Sequence, residues 1–237
     1  MRTYDLHTHA NPSGESSAED MVNLAKHLGW SGMALSCFPD TDEAIQNHVK
    51  LVENLKTKDF DIVNAIEIKA STVNELHKTL DSVRRKFEIV IVRGGDAEVN
   101  RAAAETNQVD IIAHPEMQRN DSGIDQVMAK SAANNNVCIE LNFRQILNLY
   151  RKSRVHTLAH MRQNLKLAKK YGFPVAITSG AYSKWELRAP RELAAFGISI
   201  GMSLEESFKS LEANKIDSNR LKLKDDWVMP GVTIADG

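Results

Sequence analysis

Short apolar, β-rich runs alternate with segments of helical period along nearly the whole chain, and this alternation restricts the fold more than any other feature. Eight runs read as strands: Thr3–His9, Gly32–Cys37, Phe60–Lys69, Ile89–Gly94, Asp110–Pro115, Val137–Phe143, Pro174–Ser179 and Ile198–Met202. Amphipathic segments separate them. Parallel pairing demands a crossover after each strand, so seven or eight such repeats predict an α/β, TIM-like (β/α) barrel, an architecture of about 250 residues. Helix starts are marked by Ser17 ahead of Glu19 and Asp20, by Thr41 ahead of Asp42 and Glu43, and by Thr72 with Glu75 in capping-box spacing. Gly29 and Gly172 stand where helices should stop. We read residues 1–237 as a single barrel domain with an extended connection at about 144–171 and a loose C-terminal tail from about 225.

No run of about 18 apolar residues exists, and the first residues lack the charged-then-apolar layout of a signal peptide, so we expect a cytoplasmic protein with no membrane partner. Cys37 and Cys138 lie far apart, each in an apolar stretch, which fits reduced buried thiols. The net charge of −1 hides an uneven distribution. Residues 1–143 hold 14 Lys/Arg against 22 Asp/Glu, whereas residues 144–224 hold 16 against 6. The C-terminal third is strongly basic, and either solvated helix faces or a polyanion-binding surface accounts for that.

Asp5-Leu6-His7-Thr8-His9 ends the first strand, and period-two geometry sends Asp5, His7 and His9 to one side, where two imidazoles suit a divalent metal. Two surface histidines at a strand end would give the same pattern. Glu67 closes the third strand and His114 the fifth, and in a βα barrel all these ends face one rim. The Asp-Leu-His-Thr-His run, the Ile66-Glu67-Ile68 glutamate and Ile111-Ile112-Ala113-His114-Pro115 resemble the strand motifs of the polymerase and histidinol phosphatase (PHP) superfamily. That resemblance implies phosphoester hydrolysis by two or three metals on a distorted barrel. Two departures stand out. The second strand ends Ser36-Cys37-Phe38-Pro39-Asp40 where that family places a Thr-Asp-His type of ligand set, and Thr178-Ser179-Gly180-Ala181-Tyr182 lacks the late Asp-x-His. We expect His7, His9, Glu67 and His114 to be a vestigial site with weak divalent-metal binding at most.

The C-terminal half carries a second resemblance. The turn Asp121-Ser122-Gly123-Ile124-Asp125, the loop Thr178-Ser179-Gly180-Ala181 and the segment Leu187-Arg188-Ala189-Pro190-Arg191-Glu192-Leu193 are similar to the ribonuclease P protein component 3 family, over nearly the whole chain. The family is the archaeal relative of the eukaryotic thirty-kilodalton subunit, with a PHP-related barrel that has largely lost its metals. Membership implies a protein subunit of ribonuclease P, the ribonucleoprotein that removes the 5′ leader from precursor tRNA. Its partners would be ribonuclease P RNA, protein component 2 and the other protein subunits, with precursor tRNA engaged indirectly. The RNA would perform the hydrolysis with Mg2+, and this chain would require no cofactor of its own. The alternative is a metal-dependent phosphoesterase of PHP type, and a third reading is a pure protein scaffold.

Basic residues near folded RNA offset phosphate repulsion without reading sequence. Arg144, Arg151, Lys152 and Arg154 on the connection after strand six are the first candidates for phosphate contact, followed by Lys184, Arg188 and Arg191 after strand seven. A helical segment would put Arg188 and Arg191 on neighbouring positions, and ion pairs with Glu186 or Glu192 are the competing use of them. Trp185 reads as an anchor against the barrel or a partner, and the helix that follows should end near Phe196-Gly197. Ser179 lacks a Gly-x-Ser-x-Gly elbow, and His156 and His160 fit a solvated helix face.

Overall fold

The strand ends singled out above are gathered on one rim by a sheet whose strands follow one another in chain order. In the computed structural model, which describes residues 2–223, 227–229 and 232–233, β1 (Tyr4–Thr8), β2 (Gly32–Cys37), β3 (Asp61–Ile68), β4 (Ile89–Arg93), β5 (Ile111–Ala113), β6 (Cys138–Asn142) and β7 (Val175–Thr178) pair in parallel, each with the next. The crossovers are α1 (Ala18–His27), α2 (Asp42–Leu55), α3 (Val73–Val83), α4 (Ala97–Ala104) and α5 (Gln126–Asn134). The long basic connection holds two helices, α6 (Phe143–Asn148) and α7 (Arg151–Tyr171). After β7 come a single 3-10 turn at Lys184–Glu186, then α8 (Pro190–Ile200), α9 (Leu204–Lys209) and α10 (Asn214–Lys222). Ser17, Thr41 and Thr72 cap their helices as expected, and Gly172 stops α7 in the left-handed conformation (φ 81).

The barrel has seven parallel strands among the described residues, and the eighth predicted strand, Ile198–Met202, is instead the end of α8 and the turn after it. Its alternating Ile-Ser-Ile imitates a strand. Pro190 at the first helical position and the Glu192 carboxylate accepting from the Ala189 N–H start a helix that continues beyond the predicted stop at Phe196-Gly197. Leu193, Ala194, Phe196, Gly197 and Ile200 then form one buried face of helical period, and Gly201 (φ 116) ends it. The seam between β7 and β1 is closed by short contacts: His9 donates to Ala181 O at the rim, and Tyr4 donates to Leu211 O at the other end. Leu211 and Glu212 thus occupy part of the place of an eighth strand, with a Thr3–Glu212 bridge beside them. Within the predicted loose tail, Trp227–Met229 and Val232–Thr233 pair as an antiparallel hairpin, and the rest of it lies outside the described residues.

Strand parity places the core and the rim together. Val63 and Ala65, Ile89 and Ile91, and Ile111 and Ala113 fill the barrel interior in one cluster, while Ile62, Ile66, Val90, Val92 and Ile112 pack outward beneath the helices. Continuing the inward positions to the strand ends brings up Glu67, Arg93 and, on β6, Glu140. The opposite end is plugged by α10, whose Arg220 forks Asp61 and also pairs with Glu88, and whose Asn219 donates to Asp110 and to Glu88 O. Both cysteines are free and buried, and burial pushes the Cys37 thiol up to about 12. No helix among the described residues is long and apolar enough to cross a membrane.

Candidate functional site

At the C-terminal rim, Asp5, His7, His9, Glu67 and Glu140 are all buried, each at most 2% exposed, so their charges must be balanced by one another. His7 Nδ1 lies 2.6 Å from Glu140 Oε1, to which Thr178 Oγ1 also donates at 2.6 Å. His7 Nε2 lies 3.1 Å from His9 Nε2 and 3.6 Å from Glu67 Oε2, and His9 Nε2 lies 3.1 Å from the same oxygen. His114, on a left-handed backbone (φ 50), approaches Glu140 Oε2 at 3.9 Å. Asp5 Oδ1 accepts from the backbone N–H of Ser179 and tethers β1 to β7. Phe38 and Tyr182 stack on the two sides of His9, with ring centroids 4.9 and 4.4 Å away.

Arg93 decides the chemistry of this cluster. Its Nε donates to Glu67 Oε1 at 2.8 Å and its Nη2 to Glu67 Oε2 at 2.9 Å, and Nη2 also reaches the Tyr182 hydroxyl at 2.8 Å. This is a bidentate fork that uses both oxygens of the carboxylate. Burial works against a charged His7, yet Glu140 and Glu67 outweigh it and lift its pKa to about 10, so the ring is an imidazolium at neutral pH. Burial would likewise raise Glu140, but His7 and His114 bring it down to about 2. Glu67 is held well below the carboxylate range by His7, His9 and Arg93 against the same burial. Burial moves His9 and His114 below the ordinary imidazole value and raises Asp5 to about 6. Two cations, His7 and Arg93, therefore face Glu67 and Glu140.

Metal-ligand geometry exists in two triads, His7/His9/Glu67 and His7/His114/Glu140. Both need His7, one through Nε2 and the other through Nδ1. A neutral imidazole offers a single lone pair, so the two triads cannot be filled together. The Arg93 fork already occupies Glu67, and Phe38 stands where the second strand would have to supply a ligand. The residues do not fit a binuclear hydrolytic centre. Among the described residues Asp5 Oδ2, His9 Nδ1, His114 Nδ1 and Glu140 Oε2 have no hydrogen-bond partner, and either triad alone offers three donors to one ion.

The predicted set His7, His9, Glu67 and His114 is brought together as expected, but Glu140, Arg93 and Tyr182 were not foreseen. A signal for the first two was present, since each is a charge within a β-branched strand run, Cys138-Ile139-Glu140-Leu141 and Ile89-Val90-Ile91-Val92-Arg93. Beside the cluster opens a cleft of about 820 Å³ lined by Arg93, His114, Arg144, His156, His160 and Tyr182. Arg144 donates through Nε to both oxygens of Glu186 and lies 4.6 Å over the Tyr182 ring. Arg151 and Lys152 are exposed on the first turn of α7, whereas Arg154 is turned back onto Leu149 O. Lys184 pairs with Asp20. Arg188 precedes α8 rather than sharing a helix face with Arg191, and it donates to Trp185 O and Leu187 O. Glu186 and Glu192 are taken by Arg144 and by the Ala189 N–H, so neither Arg188 nor Arg191 forms the anticipated ion pair. Trp185 is 78% exposed and is not packed against the barrel.

The family model for RNase P subunit p30 matches residues 2–222. The chain belongs to the RNase P subunit p30 family. Ribonuclease P protein component 3 of Methanococcoides burtonii is 37% identical over 98% of this chain and 93% of that protein, and the Methanocaldococcus jannaschii protein of the same name is 35% identical over 89% and 88%. A chain of the cryo-EM structure of archaeal ribonuclease P with mature tRNA superposes with a TM-score of 0.82 at 31% identity, covering 98% of each chain. A histidinol phosphate phosphatase from Lactococcus lactis shares the fold, with a TM-score of 0.56 at 14% identity over 85% of this chain and 95% of that one. In this member of the p30 family the barrel rim carries Arg93 and His7 as its cations.

Proposed function

We infer that this chain is a protein subunit of ribonuclease P in tRNA 5′ maturation and that it supports the catalytic RNA rather than performing the hydrolysis. Family membership supports the assembly, and the Arg93 fork on Glu67 carries the second part. Metal-bound hydroxide needs an open coordination position on an ion whose protein ligands are free to coordinate it. Here both oxygens of the central carboxylate are held by a guanidinium, and the one imidazole of His7 is shared between the two triads. The partners are ribonuclease P RNA, protein component 2 and the other subunits, with precursor tRNA contacted indirectly; Mg2+ serves the RNA. Weak binding of one divalent ion is the most the rim donors supply.

Precursor-tRNA cleavage at limiting Mg2+, with ribonuclease P RNA and protein component 2, with and without this chain, tests the reading. Cleavage should rise only when the RNA is present, and a His7→Ala/His9→Ala variant that retains its circular dichroism should do the same. Hydrolysis of a phosphoester by the chain alone, abolished by chelation, would instead establish a PHP-type phosphoesterase.

A further inference from the structure

Between Glu140 and Glu186 the sequence contains no acid, and the middle of that stretch is α7, a 21-residue helix about 30 Å long. Thr157, Met161, Asn164 and Leu165 turn one face of α7 inward. The opposite face carries Lys152, Arg162, Lys166 and Lys170, all exposed, the last three spaced four apart and so aligned along the axis. Among the described residues none of these four has a carboxylate partner, whereas Lys169 beside them pairs with Glu206. The start of α7 is also unlike those of α1 to α4, which have side-chain caps and acids in the first turn. Its first turn holds Arg151, Lys152 and Arg154, no acid, and a Tyr150 cap that makes no side-chain hydrogen bond. Cations at the positive end of a helix dipole oppose helix formation, and a bound anion reverses that cost. Tyr150 is 73% exposed, with the Arg154 guanidinium 5.5 Å from its ring centroid.

We propose that this outward stripe of α7 lies along an RNA phosphate backbone through Lys152, Arg162, Lys166 and Lys170, with Tyr150 at its N-terminal end stacked on an unpaired base. The proposal rests on the ribonuclease P reading and places the contacts along the helix rather than at Arg144 and Arg154, which are held by Glu186 and by Leu149 O. The composition of the stripe favours RNA over an acidic protein. Protein interfaces are depleted in lysine and centre on buried apolar anchors, and Val155 is the one large aliphatic residue exposed on α7 among the described residues. A row of unpaired cations with an aromatic at one end is the pattern that tracks a strand and stacks a base.

The test uses the full chain and a fluorescein-labelled RNA duplex with a single-stranded overhang, titrated by anisotropy from about 50 to 300 mM salt. Arg162→Gln/Lys166→Gln/Lys170→Gln is compared with Lys50→Gln/Lys78→Gln/Lys130→Gln, a control removing three exposed charges elsewhere. The α7 variant should lower the slope of log K against log salt by about 2 to 3 and weaken binding at least tenfold at moderate salt, while the control changes little. Tyr150→Ala should weaken binding to the overhang substrate and leave blunt duplex unaffected. Equal effects of both triple variants, or no effect of the α7 variant, overturn the proposal. The cleavage assay separates its failure from that of the parent reading. Stimulation by wild type and α7 variant alike removes the stripe and keeps the subunit. Loss of stimulation in the α7 variant with an unchanged salt slope assigns the face to a protein partner and also overturns the proposal. A lowered slope with no stimulation by wild type keeps the stripe and removes the subunit.

Discussion

A guanidinium beside a buried carboxylate changes what the carboxylate can do, and Arg93 does this at 23% side-chain exposure against a fully buried Glu67. Arg93→Ala should destabilise the fold by about 3 kcal/mol, read by chemical denaturation, because Glu67 is left buried without its cation. The same variant should bind Mn2+ more tightly than wild type in a calorimetric titration, since both Glu67 oxygens become available. An unchanged affinity would show that Arg93 is not what limits metal binding. Glycine matters most at Gly123, where φ is 73 and an added Cβ would sit 1.9 Å from Pro115 O. Asn100 Nδ2 donates to both Pro115 O and Gly123 O and locks the two strands of that loop together. Gly123→Ala should cost at least about 2 kcal/mol. The motif around Gly123 was visible in the sequence, but the backbone oxygen that excludes a side chain there is a tertiary contact.

Helix boundaries followed local chemistry wherever a cap residue was present. Thr72 accepts from the Glu75 N–H while Glu75 accepts from the Ser71 N–H, so Thr72→Ala should lower the melting free energy by about 1 kcal/mol, with the loss confined to stability. The end of α8 was misread because Ile198-Ser199-Ile200 has strand alternation, and only the helix start at Pro190 and the packing of Phe196 and Ile200 overrule it. The contact between α2 and β2 carries a pH dependence. His48 is half-buried, Nε2 lies 3.1 Å from Leu35 O, and burial lowers its pKa to about 4. The unfolded chain binds the proton near pH 6.5, so stability is full above that value and falls on acidification towards pH 4, by no more than about 1 kcal/mol per unit. Denaturation midpoints at pH 7 and pH 5 should differ less in His48→Gln than in wild type.

Over the whole molecule, the barrel is held in two places the strand ladder does not reach. Rim closure relies on Ala181 meeting His9, and the far end on Leu211, which is completely buried and accepts from the Tyr4 N–H. Leu211→Ala should cost about 3 kcal/mol and lower the thermal midpoint without altering RNA affinity. Charge is also partitioned at this scale, with most acids at or before Glu140 and α7 at the centre of the acid-free stretch. The βα alternation, the caps, the strand ends bearing His7, His9, Glu67 and His114, and the resemblance to the ribonuclease P subunit family were legible in the sequence, since all depend on periodicity and short spacings. Which charges neutralise each other was not. Glu140 reaches His7 across 133 positions and Arg93 reaches Glu67 across 26, and Arg144 finds Glu186 across 42. Pairing of neighbouring strands brings Arg93 to Glu67 and Arg144 to Glu186, only closure of the barrel brings Glu140 to His7, and burial makes these pairings compulsory.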